Sequence, residues 1–192
     1  MSPTSSGTKP SISSCAATGV GIESANSAGQ PARGEFVSLL FLDFDGVCHP
    51  VGCPVDQLFC HLDMLQDWLR RRPGVDVVIS SSWRAVHPLD EMVSYFAEDL
   101  QGRVLGATPL HHHAGLAAAD VALTAPVHKR HFEVLAWLAG SADPRRRWTA
   151  LDDQNMLFAP RCENLVVVDG QLGLTVNDMV RLDIALRILA RS

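Results

Sequence analysis

Two short acidic clusters carry residue types and spacings suited to chemistry. Asp43-Phe44-Asp45-Gly46-Val47 follows one apolar run, and Asp152-Asp153 follows another. Residues two apart on an extended segment point the same way, and glycine lets the chain turn sharply behind them. Asp43 and Asp45 would therefore present their carboxylates together. Such pairs repel each other unless a cation lies between them. Hard oxygen ligands from two neighbouring strand ends suit Mg²⁺, with water and a substrate phosphate completing its shell. Two solvated turns are the plainer explanation, because Asp and Gly are common turn residues. Taken together, each closing an apolar strand, the clusters favour the metal site.

The elements that must position these residues follow from periodicity. Phe36–Leu42 reads as a buried parallel strand. Asp56 is expected to cap a helix whose Leu58, Leu62, Leu65 and Leu69 recur at spacings of four, three and four, and Pro73-Gly74 stops it. Val75–Ile79 is a second buried strand. A helix from about Pro88 carries Leu89, Met92, Val93, Phe96 and Leu100 on one face, and Arg103–Leu105 is a weak third strand. A helix over His128–Ala139 precedes strands at Trp148–Leu151 and Leu165–Val168. The last helix starts near Asn177 and turns Met179, Leu182, Leu186 and Leu189 inward. Strands alternating with helices imply an α/β layered fold with a mainly parallel five-stranded sheet. Ligands of such sheets lie at the carboxyl ends of the strands, where both acidic clusters fall.

Composition narrows the choices. The chain has 192 residues, with 16 Lys+Arg against 21 Asp+Glu and a formal net charge of −5. That balance excludes a basic nucleic-acid coat. The longest strongly apolar run, Phe36–Leu42, is far short of the roughly 20 residues a membrane span needs. Five cysteines fit a reducing compartment better than a disulfide framework, so a cytoplasmic location is expected. Residues 1–34 differ from the rest: Ser, Thr, Gly, Ala and Pro fill 24 of those 34 positions. We expect a disordered leader there, with the folded catalytic domain over 35–192. The leader lacks the basic and apolar regions of a secretory signal.

The acidic turns and three further segments resemble the haloacid dehalogenase-like (HAD) hydrolase superfamily. Asp43-Phe-Asp-Gly-Val47 is similar to its first motif, Val77-Val-Ile-Ser-Ser-Ser82 to its second, Lys129-Arg130 to its basic third and Asp152-Asp153 to its fourth. Ser80-Ser-Ser-Trp-Arg84, Gly106-Ala-Thr-Pro109, Arg130-x-x-Glu-Val-x-x-Trp-Leu138 and Gly173-Leu-Thr175 further resemble the HAD domain of Swiss Army Knife RNA repair proteins. That grouping includes small stand-alone proteins, so the resemblance does not by itself carry RNA repair to this chain.

The resemblance implies a Rossmann-like HAD fold and a Mg²⁺-dependent phosphatase. Asp43 would be the nucleophile and Asp45 the general acid and base. Asp43, the Asp45 backbone carbonyl, and Asp152 or Asp153 or both would hold Mg²⁺. One hydroxyl of the Ser80, Ser81 and Ser82 run would bind phosphate. Arg130 is preferred to Lys129 as the phosphate-binding cation, since it fits the narrower pattern in register. A cation at a helix N-terminus opposes the helix dipole unless an anion sits beside it, in line with a phosphate partner.

The intervals Gly46–Gly74 and Arg84–His128 leave no room for a large cap domain, so the site should be open. A phosphate on a macromolecule, a protein side chain or a nucleic-acid end, suits such a site. Arg70–Arg72 and Arg145–Arg147 both precede strands and are expected on solvated surface at the opposite edge. Nucleic acid is therefore not indicated by charge. His49, His87, His111–His113 and His128 fall near the expected active edge; the triple could bind a metal or help read a phosphate, with neutral surface histidines the plainer alternative. Cys48, Cys53 and Cys60 with His49 and His61 lack the paired Cys-x-x-Cys spacing of structural zinc. Two rival readings stay open: a nucleic-acid end phosphatase in RNA or DNA repair, and a catalytically silent HAD-fold binding module.

Overall fold

The computed structural model describes residues 38–110 and 128–189. The expected leader and the His111–His113 triple lie outside the described residues. Five strands form the sheet: β1 (Ser38–Leu42), β2 (Val75–Ile79), β3 (Val104–Ala107), β4 (Trp148–Asp152) and β5 (Leu165–Val167). Their order is β3-β2-β1-β4-β5, and every pairing is parallel. The helices are α1 (Leu62–Arg70), α2 (Leu89–Ser94), α3 (Glu98–Gln101), α4 (Lys129–Gly140) and α5 (Val176–Leu189).

The central strand explains the layering. All five residues of β1 are buried, so both of its faces must be covered. Leu40 and Leu42 point into a core with Leu62, Leu65, Trp68, Met92, Leu100, Met179 and Leu182, drawn from α1, α2, α3 and α5. Leu39 and Phe41 point the other way, against Val134 and Leu138 of α4 and Phe158. Alternate side chains of one strand thus serve two cores. Each such buried side chain contributes about 1.5–3 kcal/mol of burial free energy.

Register then sets the functional edge. Leu42 lies level with Ile79 on β2 and with Leu151 on β4. One residue further along each strand brings Asp43, Ser80 and Asp152 to the same carboxyl edge. The connection from Gly46 to α1 holds one short 3-10 turn, Val55–Gln57, and no further domain.

Three expectations need correction. The helix expected from Asp56 starts six residues later, at Leu62. Asp56 makes no cap, because the chain reverses at Phe59, whose φ of 61° is left-handed. The long helix expected from Pro88 is broken in two, since Ala97 adopts an extended conformation and donates its N–H to Gln66 Oε1 at 2.6 Å. Met92, Phe96 and Leu100 still reach the core, but Leu89 stays exposed. The third strand also runs two residues later than expected, to Ala107.

Candidate active site

Asp43 leaves the end of β1 almost completely buried. Its Oδ1 accepts the Phe44 N–H at 2.8 Å, and its Oδ2 accepts from Arg130 Nη1 at 2.6 Å. The same Nη1 donates to Asp152 Oδ2 at 2.5 Å. One guanidinium nitrogen therefore bridges carboxylates from two adjacent strand ends. Asp152 Oδ1 accepts the Gln154 N–H at 2.9 Å, which fixes the turn after β4.

Asp153 completes the acidic group. Carboxylate oxygens of Asp43, Asp152 and Asp153 all lie within 4.8 Å of one another, the only cluster among the described residues with the makings of a metal centre. Its carboxylate sits where a Cβ on Gly46 or on Gly170 would approach Oδ2 to 2.5 Å. Gly46 also has a φ of 71°, so both space and conformation demand glycine there. Asp153 Oδ1 is buried without a hydrogen-bond partner among the described residues. An orphaned buried carboxylate oxygen beside two other carboxylates fits a hard divalent cation.

The electrostatics point the same way. Burial pushes the Asp152 carboxyl well above its ordinary range; Arg130 opposes that push and Asp43 adds to it. Burial and then Asp43 also raise Asp153. For Arg130, burial works against the charge, yet Asp43 and Asp152 outweigh it and hold the guanidinium firmly protonated. Three acids share one close cation, and two of them, Asp152 and Asp153, hold their protons more tightly than an ordinary carboxylate.

The two candidates for the basic position separate clearly. Arg130 is buried between Asp43 and Asp152, whereas Lys129 is half-exposed, its Nζ 4.0 Å from Glu133 Oε1. The cation at the start of α4 thus meets anions supplied by the strand ends. Among the serines, Ser80 is fully buried with a hydroxyl that has no partner among the described residues. Ser81 Oγ accepts the Trp83 N–H at 3.4 Å and caps a 3-10 turn over Ser82–Ala85. Ser82 is exposed and lines a 280 Å³ cleft with Arg84, Leu110, Lys129, Arg130 and Gln154.

Asp45 stands apart from the acidic trio. Its half-exposed side chain is held by His49 Nε2 on Oδ1 at 3.1 Å and by Trp83 Nε1–H on Oδ2 at 2.8 Å. The Asp45 carboxylate expected among the metal ligands is directed to those two rings instead and is not one of the three clustered carboxylates. His87 stacks on Trp83 with ring centroids 4.9 Å apart, and His128 Nδ1 lies 3.4 Å from the Met156 carbonyl.

Sequence reasoning gave no role to Arg84, Glu133 or Trp83. Arg84 donates through Nε to Thr108 O at 3.0 Å, through Nη1 to the carbonyls of Ser80 and Ser81, and through Nη2 to Glu133. Both members of the Arg84–Glu133 pair are buried. Burial lowers the Arg84 pKa and the Glu133 carboxylate opposes the shift. This clamp ties the turn after β2 to α4. Its signal was available: Glu133 stands one turn beyond Arg130 on the face that carries Val134 and Leu138 into the core.

Among the described residues, no cysteine belongs to a group of side chains close enough to hold a metal ion. Cys48 is buried with its thiol 3.7 Å from the Asp43 carbonyl, and burial raises its pKa. Among the described helices, none is long and apolar enough to cross a membrane.

Comparison with known proteins gives one match. The family described as the HAD domain in Swiss Army Knife RNA repair proteins matches residues 39–179, well over half of the chain. No curated protein and no solved structure matches.

Proposed function

Since the chain belongs to the HAD domain family of Swiss Army Knife RNA repair proteins, and so has the character of a HAD-type hydrolase, we propose that it is a Mg²⁺-dependent phosphatase acting on phosphomonoesters. The observation that carries this reading is the Asp43–Asp152–Asp153 cluster with Arg130 bridging two of its members. Asp43, Asp152 and Asp153 would hold the cation, which screens the repulsion between carboxylate and phosphate when bound.

Asp43 attacks phosphorus and forms an aspartyl-phosphate, so hydrolysis proceeds as two displacements. Arg130 orients Asp43 through Oδ2 and offers its other N–H groups to phosphate oxygens. The Ser80 hydroxyl is the spare donor beside it. Asp45 gives a proton to the departing alkoxide, then takes one from the attacking water. Its half-exposure lets that water reach it. The phosphoryl group ends on water as phosphate, and Asp43 is regenerated.

The test is turnover of p-nitrophenyl phosphate by the purified protein with and without Mg²⁺. We expect metal-dependent release of phosphate, lost in Asp43→Asn. Failure across a broad panel of phosphomonoesters overturns the reading and leaves a silent binding module. The family's occurrence in RNA repair proteins favours a nucleic-acid end as one substrate; 3′- and 5′-phosphorylated oligonucleotides against phosphopeptides and nucleotides decide that point.

A further inference from the structure

Asp45 is gripped by two aromatic N–H donors that no part of the phosphatase reading requires, and those donors are themselves fixed. His49 is almost fully buried. Its Nδ1 accepts the backbone N–H of Phe59 at 3.3 Å, so that nitrogen carries no proton in the neutral ring. The proton is thereby placed on Nε2, which donates to Asp45 Oδ1. Phe59 can point its N–H at the ring because it adopts a left-handed backbone conformation, with a φ of 61°. The same Phe59 ring packs edge-on against His49 and Trp83, at centroid distances of 5.3 Å each. Trp83 in turn packs on Phe44, Tyr95 and His87, which leaves its indole little freedom to swing away from Asp45.

We infer that His49 and Trp83 are positioning residues that aim the Asp45 carboxylate at the leaving-group oxygen, with Phe59 setting the tautomer of His49. This rests on the phosphatase reading above. A carboxylate oxygen has two lone pairs. Each Asp45 oxygen spends one on a fixed N–H and keeps the other, and the exposed side of the group is where a proton arrives and leaves. Without the two donors, Asp45 would rotate about its side-chain torsions and spend part of its time turned from the substrate.

A positioning role differs from a packing role in what it does to substrates of unequal difficulty. An alkyl phosphate must have its leaving alkoxide protonated, whereas the nitrophenolate of p-nitrophenyl phosphate departs without help. The parameter kcat/KM covers binding and the first displacement and excludes the second, once the leaving group has departed irreversibly. Trp83→Phe and His49→Phe each keep an aromatic ring in place and remove the N–H that holds Asp45. We expect kcat/KM for ethyl phosphate to fall about tenfold further than for p-nitrophenyl phosphate in each variant, with Asp45→Asn showing the same bias more strongly. Equal losses on both esters, or none, overturn the inference and leave the two rings as packing.

A second measurement does not depend on turnover. Nitrogen NMR of the imidazole in the wild-type protein should show His49 as the Nε2–H tautomer, whatever the substrate. The Nδ1–H tautomer overturns the inference. A wild type inactive across the whole phosphomonoester panel overturns the phosphatase reading and this role together, whereas active enzyme with an unchanged ester ratio overturns this role alone.

Discussion

The two edges of the sheet treat their charged side chains in opposite ways. At the amino edge, Arg70 meets Asp67 and Asp99, Arg72 meets Asp183, and Arg146 meets Asp76. These arginines have carboxylates to answer them, and all keep some contact with water. At the carboxyl edge, Asp43 and Asp152 are buried, and one guanidinium serves both while Asp153 stands beside them. Exposed pairs gain little, because water screens what they would gain and their side chains lose entropy in meeting. Buried charges in unequal number are costly. An imbalance that folding alone would have no reason to keep marks the functional edge; charge density by itself does not.

The sharpest way to break the comparison is at Asp43. Asp43→Asn removes the proposed nucleophile and one of the two anions on Arg130, and kcat should fall by about 10⁴-fold or more in a steady-state phosphatase assay. Arg130→Met comes next. It leaves two buried carboxylates without their cation, and urea unfolding of the metal-free protein should show a loss of about 3–5 kcal/mol. Added Mg²⁺ should restore part of that loss, since the ion binds the folded form only.

Acidity probes the same imbalance more gently. Asp152 and Asp153 have raised pKa values, so the folded protein binds more protons than the unfolded chain between the ordinary carboxylate range and the raised values. Stability of the metal-free protein should therefore fall as pH rises through that window. Mg²⁺ competes with those protons, so its effect on Tm should be small at acid pH and grow as pH rises. A Mg²⁺ shift in Tm that does not change with pH would contradict this. The smallest effect belongs to the amino edge. Arg70→Ala should leave turnover unchanged, with a small change in Tm that disappears at high salt.

How much of this was legible in the chain depends on the range of the interaction. Buried strands announce themselves by composition, so β1, β2 and β4 fall on the apolar runs, with acidic turns after β1 and β4 and a serine run after β2. Arg130 meets Asp43 while its neighbour Lys129 lies half-exposed, because a side chain one position along a helix is turned about 100° around its axis. The start of α1 was not legible: nothing in Phe59 as a residue type announces a left-handed backbone, and the reversal there is fixed by packing on His49, Phe44 and Trp83. Nor could spacing reveal that Trp83 reaches Asp45 across 38 positions, or that Arg84 reaches Glu133 across 49. Such contacts exist only once the sheet has ordered its strands.

That strand order also determines when the site comes into being. β1 pairs with β2 after a local excursion, but its other neighbour, β4, and the helix bearing Arg130 arrive much later in the chain; Asp43 and Arg130 are 87 positions apart. Closing so long a loop costs entropy and slows folding relative to local pairing. During synthesis, at about 5–20 residues per second, Asp43 therefore waits several seconds for its counter-charge. Asp43 emerges well ahead of Arg130 and Asp152 and meets them only when β4 and α4 have docked, so on the proposed phosphatase reading turnover reports assembly of the strands on both sides of β1.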